Sequence, residues 1–151
     1  MTHVLETGFE ILNRENPNGS PTVIGYNIIN GELRPASDGK TFESRNPAWL
    51  DDCLGVLPLS SKNDVHDALI SAREAFSQWS QTPAPTRGQI IGNMGRLLME
   101  HKDDIVRVES REIGKTLKES AGEVQEAIDT CLFFQSEGRR LYGQTVNSEL
   151  P

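Results

Sequence analysis

Cysteine is scarce in this chain. Cys53 and Cys131 are the two among 151 residues, too few for a disulfide scaffold, and neither sits in a Cys-x-x-Cys pair. A reduced, cytoplasmic environment is the expectation. Histidine is scarce too: His3, His66 and His101 are scattered, with no His-x-x-x-His and no adjacent Asp–Ser pair. No metal site and no catalytic triad is expected from them, because both require convergence. No apolar stretch approaches the roughly 20 residues that span a bilayer. Met1 is followed by Thr2, not Gly, so no myristoylation is expected. The N-terminus lacks a basic patch followed by an apolar run, and no signal peptide is expected. Positive charge is in deficit: 15 Lys and Arg against 22 Asp and Glu leave a net charge of −7. That argues against nucleic-acid and anionic-membrane partners, which are themselves negative.

What is present suffices for a core. The chain is 36% hydrophobic and 25% charged, the balance of a packed globular unit. Residues 1–21 are polar and turn-rich, with Asn16-Pro17-Asn18-Gly19 and Pro21, and read as a flexible N-terminal segment. Residues 22–151 read as one α+β unit, a short antiparallel β lead-in followed by four amphipathic helices. Thr22 to Ile29 is β-rich. Asn30-Gly31 is a strong hairpin signal, because a type I′ turn needs positive φ at both central residues. Short strands are expected at Thr41–Ser44 and Leu54–Leu59, with Asn46-Pro47 as a break.

The period then changes. Val65, Ala68, Leu69, Ala72, Ala75, Phe76 and Trp79 form one apolar helical stripe, with Ser61 and Asp64 as a capping box in which Asp replaces the usual Glu or Gln. Thr86-Arg87-Gly88-Gln89 reads as the capping box of a second helix, whose buried stripe would be Ile90, Met94, Leu97 and Leu98. Gly88, Gly92 and Gly95 weaken that helix, each by up to about 1 kcal/mol relative to Ala, a spacing that permits a close neighbour. A third helix is expected from Lys102 to Ile113 with Gly114 as its left-handed cap. A fourth carries Leu117, Ala121, Val124, Ile128 and Cys131 on one face and ends near Gly138 to Gly143. Thr145-Val146 starts like a strand.

Candidate chemistry is thin. Cys131 lies on an apolar stripe, where free Cys behaves as a small hydrophobe. Cys53 follows Asp51 and Asp52, which disfavour a thiolate. Glu119, Glu123 and Glu126 share one helical face, which reads as a solvated side, with a Lys115–Glu119 pair worth a few tenths of a kcal/mol. The glycines of the second helix lie inside it and not in a turn after a strand, so they are no dinucleotide fingerprint. Catalytic, cofactor-binding and metal-ligating residues are all read as none.

A series of motifs nevertheless runs in a telling order: Ile28-Ile29-Asn30-Gly31, Asn46-Pro47, Gly55-Val56-Leu57-Pro58, Ala72-x-x-Ala75-Phe76-x-x-Trp79, Arg87, and Glu112-x-Gly114-Lys115-x-Leu117-x-Glu119. Glu123-Val124 and Gly143-x-Thr145-Val146 follow. Across about residues 24–150 this series resembles the opening third of the aldehyde dehydrogenase superfamily. Pro83-Ala84-Pro85-x-Arg87-Gly88 and Glu123-Val124-Gln125-Glu126 resemble the semialdehyde-oxidising members, such as aminoadipic semialdehyde dehydrogenases. Asn147 departs from the pattern, where many relatives have Pro.

The resemblance implies the N-terminal part of an α/β Rossmann-like cofactor domain, NAD or NADP as cofactor, an aldehyde substrate and a homo-oligomer. It implies a mechanism in which a cysteine thiolate attacks the aldehyde, hydride passes to the nicotinamide, and a glutamate-activated water hydrolyses the thioester. No position here matches that cysteine, that glutamate, the oxyanion-hole Asn or the adenosine-side Lys. The expectation is therefore a chain catalytically incompetent by itself, binding no cofactor alone, with apolar helix faces that favour self-association. The resemblance also puts Glu126 and Thr130 at the mouth of a substrate tunnel. The contrasting expectation is a non-catalytic helical interaction module, or one half of a split enzyme.

Overall fold

The computed structural model describes residues 3–4, 10–12, 16, 19, 22–140, 142–143 and 145. The strand start read at Thr145-Val146 and the position of Asn147 lie outside or at the edge of that set. Seven strands are described: β1 (His3–Val4), β2 (Glu10–Leu12), β3 (Thr22–Ile24), β4 (Asn27–Ile29), β5 (Glu32–Arg34), β6 (Thr41–Arg45) and β7 (Cys53–Pro58). Four helices follow: α1 (Lys62–Gln81), α2 (Ala84–Glu100), α3 (Lys102–Ile113) and α4 (Leu117–Glu137). The stretch read as aperiodic loop thus contains β1 and β2, joined by backbone ladders that need no side-chain period.

The β-rich run from Thr22 to Ile29 is two strands. Gly25 breaks it: its N–H donates to the Val56 carbonyl at 2.9 Å, and a Cβ there would stand 2.3 Å from Leu57 Cδ2. β4 and β5 leave as a separate hairpin, turned by Asn30 at φ 55° and Gly31 at φ 76°, the positive pair that a type I′ turn demands. The main sheet has the order β1-β2-β3-β7-β6. It is not wholly antiparallel as expected: β3 and β7 run parallel, with Val23 opposite Gly55. A parallel pair needs a long crossover, which residues 25–52 supply.

Local chemistry sets the helix ends. Ser61 and Asp64 form the full capping box of α1, the Asp64 carboxylate accepting from the Ser61 N–H at 2.6 Å. Asp64 also accepts from the Ser37 N–H at 2.9 Å, which ties α1 to the strand section. α2 does not begin at Thr86. It begins at Ala84, with Pro83 as N-cap, Pro85 in the first turn and no side-chain cap. Proline suits that position because first-turn N–H groups lack intrahelical partners anyway. α3 ends at Gly114, left-handed at φ 76°. α4 opens on a Thr116–Glu119 capping box. Glu119 is thereby engaged, and Lys115, which precedes the helix, pairs with Glu123 at 2.5 Å in place of the expected Glu119.

The core lies among α2, α3 and α4. Val106, Val124 and Ile128 are buried, with Leu98, Ile105, Ala121 and Leu132 packed against them. Of the stripe expected to be buried on α2, Leu98 packs on the core, but Ile90, Met94 and Leu97 are exposed and the glycines turn inward: Gly88, Gly92 and Gly95 are buried. Ideal Cβ atoms would lie 2.4 Å from the Gln135 carbonyl oxygen at Gly88 and 2.8 Å from Cys131 Cβ at Gly95. The two helices cross so closely that α2 has no room for a Cβ at these positions. A buried ion pair joins the strand section to α3: Arg111 grips Asp52 in a two-point fork, at 2.7 and 3.0 Å, with the Asp52 side chain wholly buried.

Candidate functional site

Helix α1 buries almost nothing. Asp64 is its one buried residue. Its apolar stripe faces outward: Val65 is 55% exposed, Leu69 64%, Phe76 66% and Trp79 40%. The same stripe in a helix packed on a sheet would be covered. At Trp79 it runs into a groove of about 610 Å³ between the end of α1, α2 and α4, lined by Trp79, Arg87, Gly88, Ile91, Thr130, Phe134 and Glu137 among others. The lining is mainly apolar, and Arg87 is its one cation. The guanidinium carbon lies 6.0 Å from the Trp79 ring centroid, and Nε is buried with no hydrogen-bond partner among the described residues. Glu137, the groove's one anion, is turned to Arg140 at 2.6 Å.

The two residues expected at a tunnel mouth separate here. Thr130 lines the groove. Glu126 stands exposed on the same helix but is not part of the lining. Sequence reasoning placed Trp79 and Arg87 in separate motifs and did not foresee their stacking, because the helix break between them hides their proximity.

A second cluster joins α3 to α4. Lys115, drawn to Glu123, is held above its ordinary value. Glu123 is held below its own by the Lys115 hydrogen bond first and Glu109 second. Glu109 is raised, chiefly because it must donate to Glu123. These groups form a partly buried charged cluster between α3 and α4. Among the described residues no three His, Cys, Asp or Glu side chains converge for a metal. Cys53 is buried at the start of β7, where Asn16 accepts from its N–H at 3.0 Å and donates to its carbonyl at 2.9 Å. Cys131 is buried against α2. His66 and His101 are exposed and far apart in the chain, and the side chain of His3 lies outside the described residues.

A dinucleotide pyrophosphate would need open backbone N–H groups at a glycine turn. The faces of Gly88 and Gly92 are filled by Gln135 of α4. Gly88 and Gly92 therefore do not form such a cradle. No helix is long and apolar enough to cross a membrane, among the described residues.

The architecture, a small mixed sheet followed by four helices, matches the N-terminal portion of a Rossmann-like α/β fold. The crystal structure of an NAD-dependent aldehyde dehydrogenase from Sinorhizobium meliloti superimposes with a TM-score of 0.82 at 23% identity, over 91% of this chain and 28% of that one. The α-ketoglutarate semialdehyde dehydrogenase of Haloferax volcanii is 38% identical over 125 residues, which are 83% of this chain and 26% of that protein. The NADP(+) succinate-semialdehyde dehydrogenase of Escherichia coli is 36% identical over 119 residues, 79% of this chain and 24% of that protein. The aldehyde dehydrogenase family profile matches residues 34–151. The chain belongs to the aldehyde dehydrogenase family, and it spans about a quarter of the length of these relatives.

Proposed function

We propose that this chain is the N-terminal portion of an NAD(P)-dependent enzyme that oxidises a semialdehyde to the carboxylic acid, and that these 151 residues alone do not catalyse it. One observation carries the reading: α1 presents Leu69 and Phe76 at 64% and 66% exposure along a regular amphipathic stripe. A helix patterned for burial but left bare is built to cover something larger. The semialdehyde class is supported by the names of the two relatives, one of them an NADP(+) enzyme. Within the longer enzyme Glu126 and Thr130 border the substrate's path, and the nicotinamide cofactor, once bound, supplies the hydride acceptor. The role of the present residues is structural: α2 and α4 form a rigid pair through their glycine contacts, and α1 offers the apolar face.

The test is direct. Purified chain is supplied with succinate semialdehyde and NAD or NADP, and absorbance at the reduced nicotinamide band is followed. No aldehyde-dependent reduction is expected, and robust turnover would overturn the proposal. Sedimentation of the same sample should show association that Leu69→Glu together with Phe76→Glu relieves. A wild-type chain that is monomeric at high concentration would instead favour a self-sufficient interaction module.

A further inference from the structure

The hairpin of β4 and β5 turns on Asn30-Gly31, a dipeptide with a reaction of its own. Both residues are exposed. The ladder closes where Ile29 faces Glu32, so the Gly31 N–H lies in the two-residue loop, outside the ladder. A Cβ built on Gly31 would meet nothing within 4 Å, and glycine has no side chain to shield its own nitrogen. The Asn30 side-chain amide makes no hydrogen bond among the described residues. An uncovered backbone nitrogen thus follows an untethered side-chain carbonyl carbon. The hairpin is also lightly held. It is a separate sheet of two strands, three residues each, and such a pair is marginally stable in water. The Arg34–Glu32 bridge runs along one strand between exposed side chains, where an ion pair adds little. Local opening is therefore cheap, and it frees the turn from the left-handed setting of Asn30 at φ 55°.

We infer that Asn30 is a self-modification site, deamidating with water as the sole co-reactant, and that its isoaspartate product unlatches the hairpin. The Gly31 nitrogen bonds to Asn30 Cγ, the Cγ–Nδ2 bond breaks, and ammonia leaves with the proton from Gly31. The cyclic imide then takes up one water. Attack at Cγ reopens the ring to aspartate on a normal backbone. Attack at the Asn30 main-chain carbonyl carbon instead gives isoaspartate, whose backbone runs through Cβ and Cγ. The two products differ in consequence. Asp-Gly suits a type I′ turn as Asn-Gly does. Isoaspartate lengthens a two-residue loop whose length fixes the register, and Ile29, buried to 7% exposure, is the next residue along. Either product also places a new anion at a cleft that Asn30 shares with Asp67 and Glu74 of α1. Asn18-Gly19 is the same dipeptide, but there the Gly19 N–H donates to the Asn16 carbonyl at 2.9 Å. Attack by that nitrogen would first have to break the bond.

The experiment ages the purified chain at mildly alkaline pH and physiological temperature. Peptide mass mapping, with fragmentation that separates aspartate from isoaspartate, follows each asparagine over time. In the folded chain Asn30 should convert several-fold faster than Asn18. In concentrated urea, where the Gly19 hydrogen bond is gone, the two rates should converge. Hydrogen exchange over residues 27–34 reads the consequence. The isoaspartate form should lose protection there, whereas Asn30→Asp, which models the other product and releases no ammonia from this site, should keep it. Conversion of Asn18 as fast as Asn30 in the folded chain would overturn the inference. So would an Asn30 that stays intact while the urea sample converts, or an isoaspartate form with undiminished protection.

Discussion

Replacing Gly88 by alanine tests the helix crossing that holds this chain together. The added Cβ would stand 2.4 Å from the Gln135 carbonyl oxygen and 3.2 Å from its carbonyl carbon. Both are backbone atoms and cannot swing aside. Restoring an ordinary contact near 3.4 Å requires α2 and α4 to part locally by 1.0 Å, the difference between 3.4 and 2.4 Å. That separation loosens the packing around Ile128, which is wholly buried. Overpacking of this kind costs about 1–3 kcal/mol, and the rigid partner puts Gly88 at the upper end. Alanine returns up to about 1 kcal/mol through helix propensity. The net is a loss of about 2 kcal/mol. Gly122, on the exposed side of α4, has no atom within 4 Å of its would-be Cβ, so the same substitution there should stabilise by up to about 1 kcal/mol. Gly92 falls between, because its obstacle is the Gln135 side chain at 2.2 Å, which can rotate. Urea unfolding followed by far-ultraviolet circular dichroism and by tryptophan fluorescence, with coincident transitions, gives the three values. Stabilisation by Gly88→Ala equal to that by Gly122→Ala would refute the close crossing.

Asp52→Ala should cost about 3 kcal/mol, since it strands the Arg111 fork against a fully buried site. A double-mutant cycle with Arg111→Ala checks it, and a coupling below about 0.5 kcal/mol would mean that the pair behaves as a surface pair. Asp64 is held below its ordinary value of 3.8, first by the Ser61 N–H, with Ser37 contributing. A carboxyl lowered by folding contributes stability that is complete above its unfolded value and is lost as pH falls through the folded one. Wild-type stability should therefore decline from about pH 4 downward, and Asp64→Asn should flatten that decline. Identical acid limbs in denaturant titrations would contradict the role given to this cap.

Elements governed by neighbours in sequence were legible. The Asn30-Gly31 turn, the Ser61–Asp64 box, the span of α3 and its Gly114 cap follow from φ preferences and from hydrogen bonds three residues long. Where two local signals competed, the choice was not legible. Thr86 and Gln89 fit a capping box, but with Pro83 as N-cap and Pro85 in the first turn α2 starts three residues earlier. Most of the buried face of α2 was also hidden, because hydrophobicity points to Ile90 and Met94, whereas packing selects the glycine face beside Leu98. The Asp52–Arg111 pair spans 59 residues, and the parallel pairing of β3 with β7 depends on a crossover. Neither leaves a periodic trace.

Within the candidate site, the family was carried by the motif series, which is a property of residue order. The groove was not, because Trp79 and Arg87 meet across a helix break and Thr130 joins them from another helix.

What the order of residues determined alone is the set of helices, the Ser61–Asp64 and Gly114 caps and the kinship of the chain, since each depends on contacts within a turn or two. The tertiary structure alone decided which faces are spent on one another. Glycines draw α2 against α4, and α1 is left with its apolar side in water, because burial is a property of what lies opposite and no residue encodes its own neighbour.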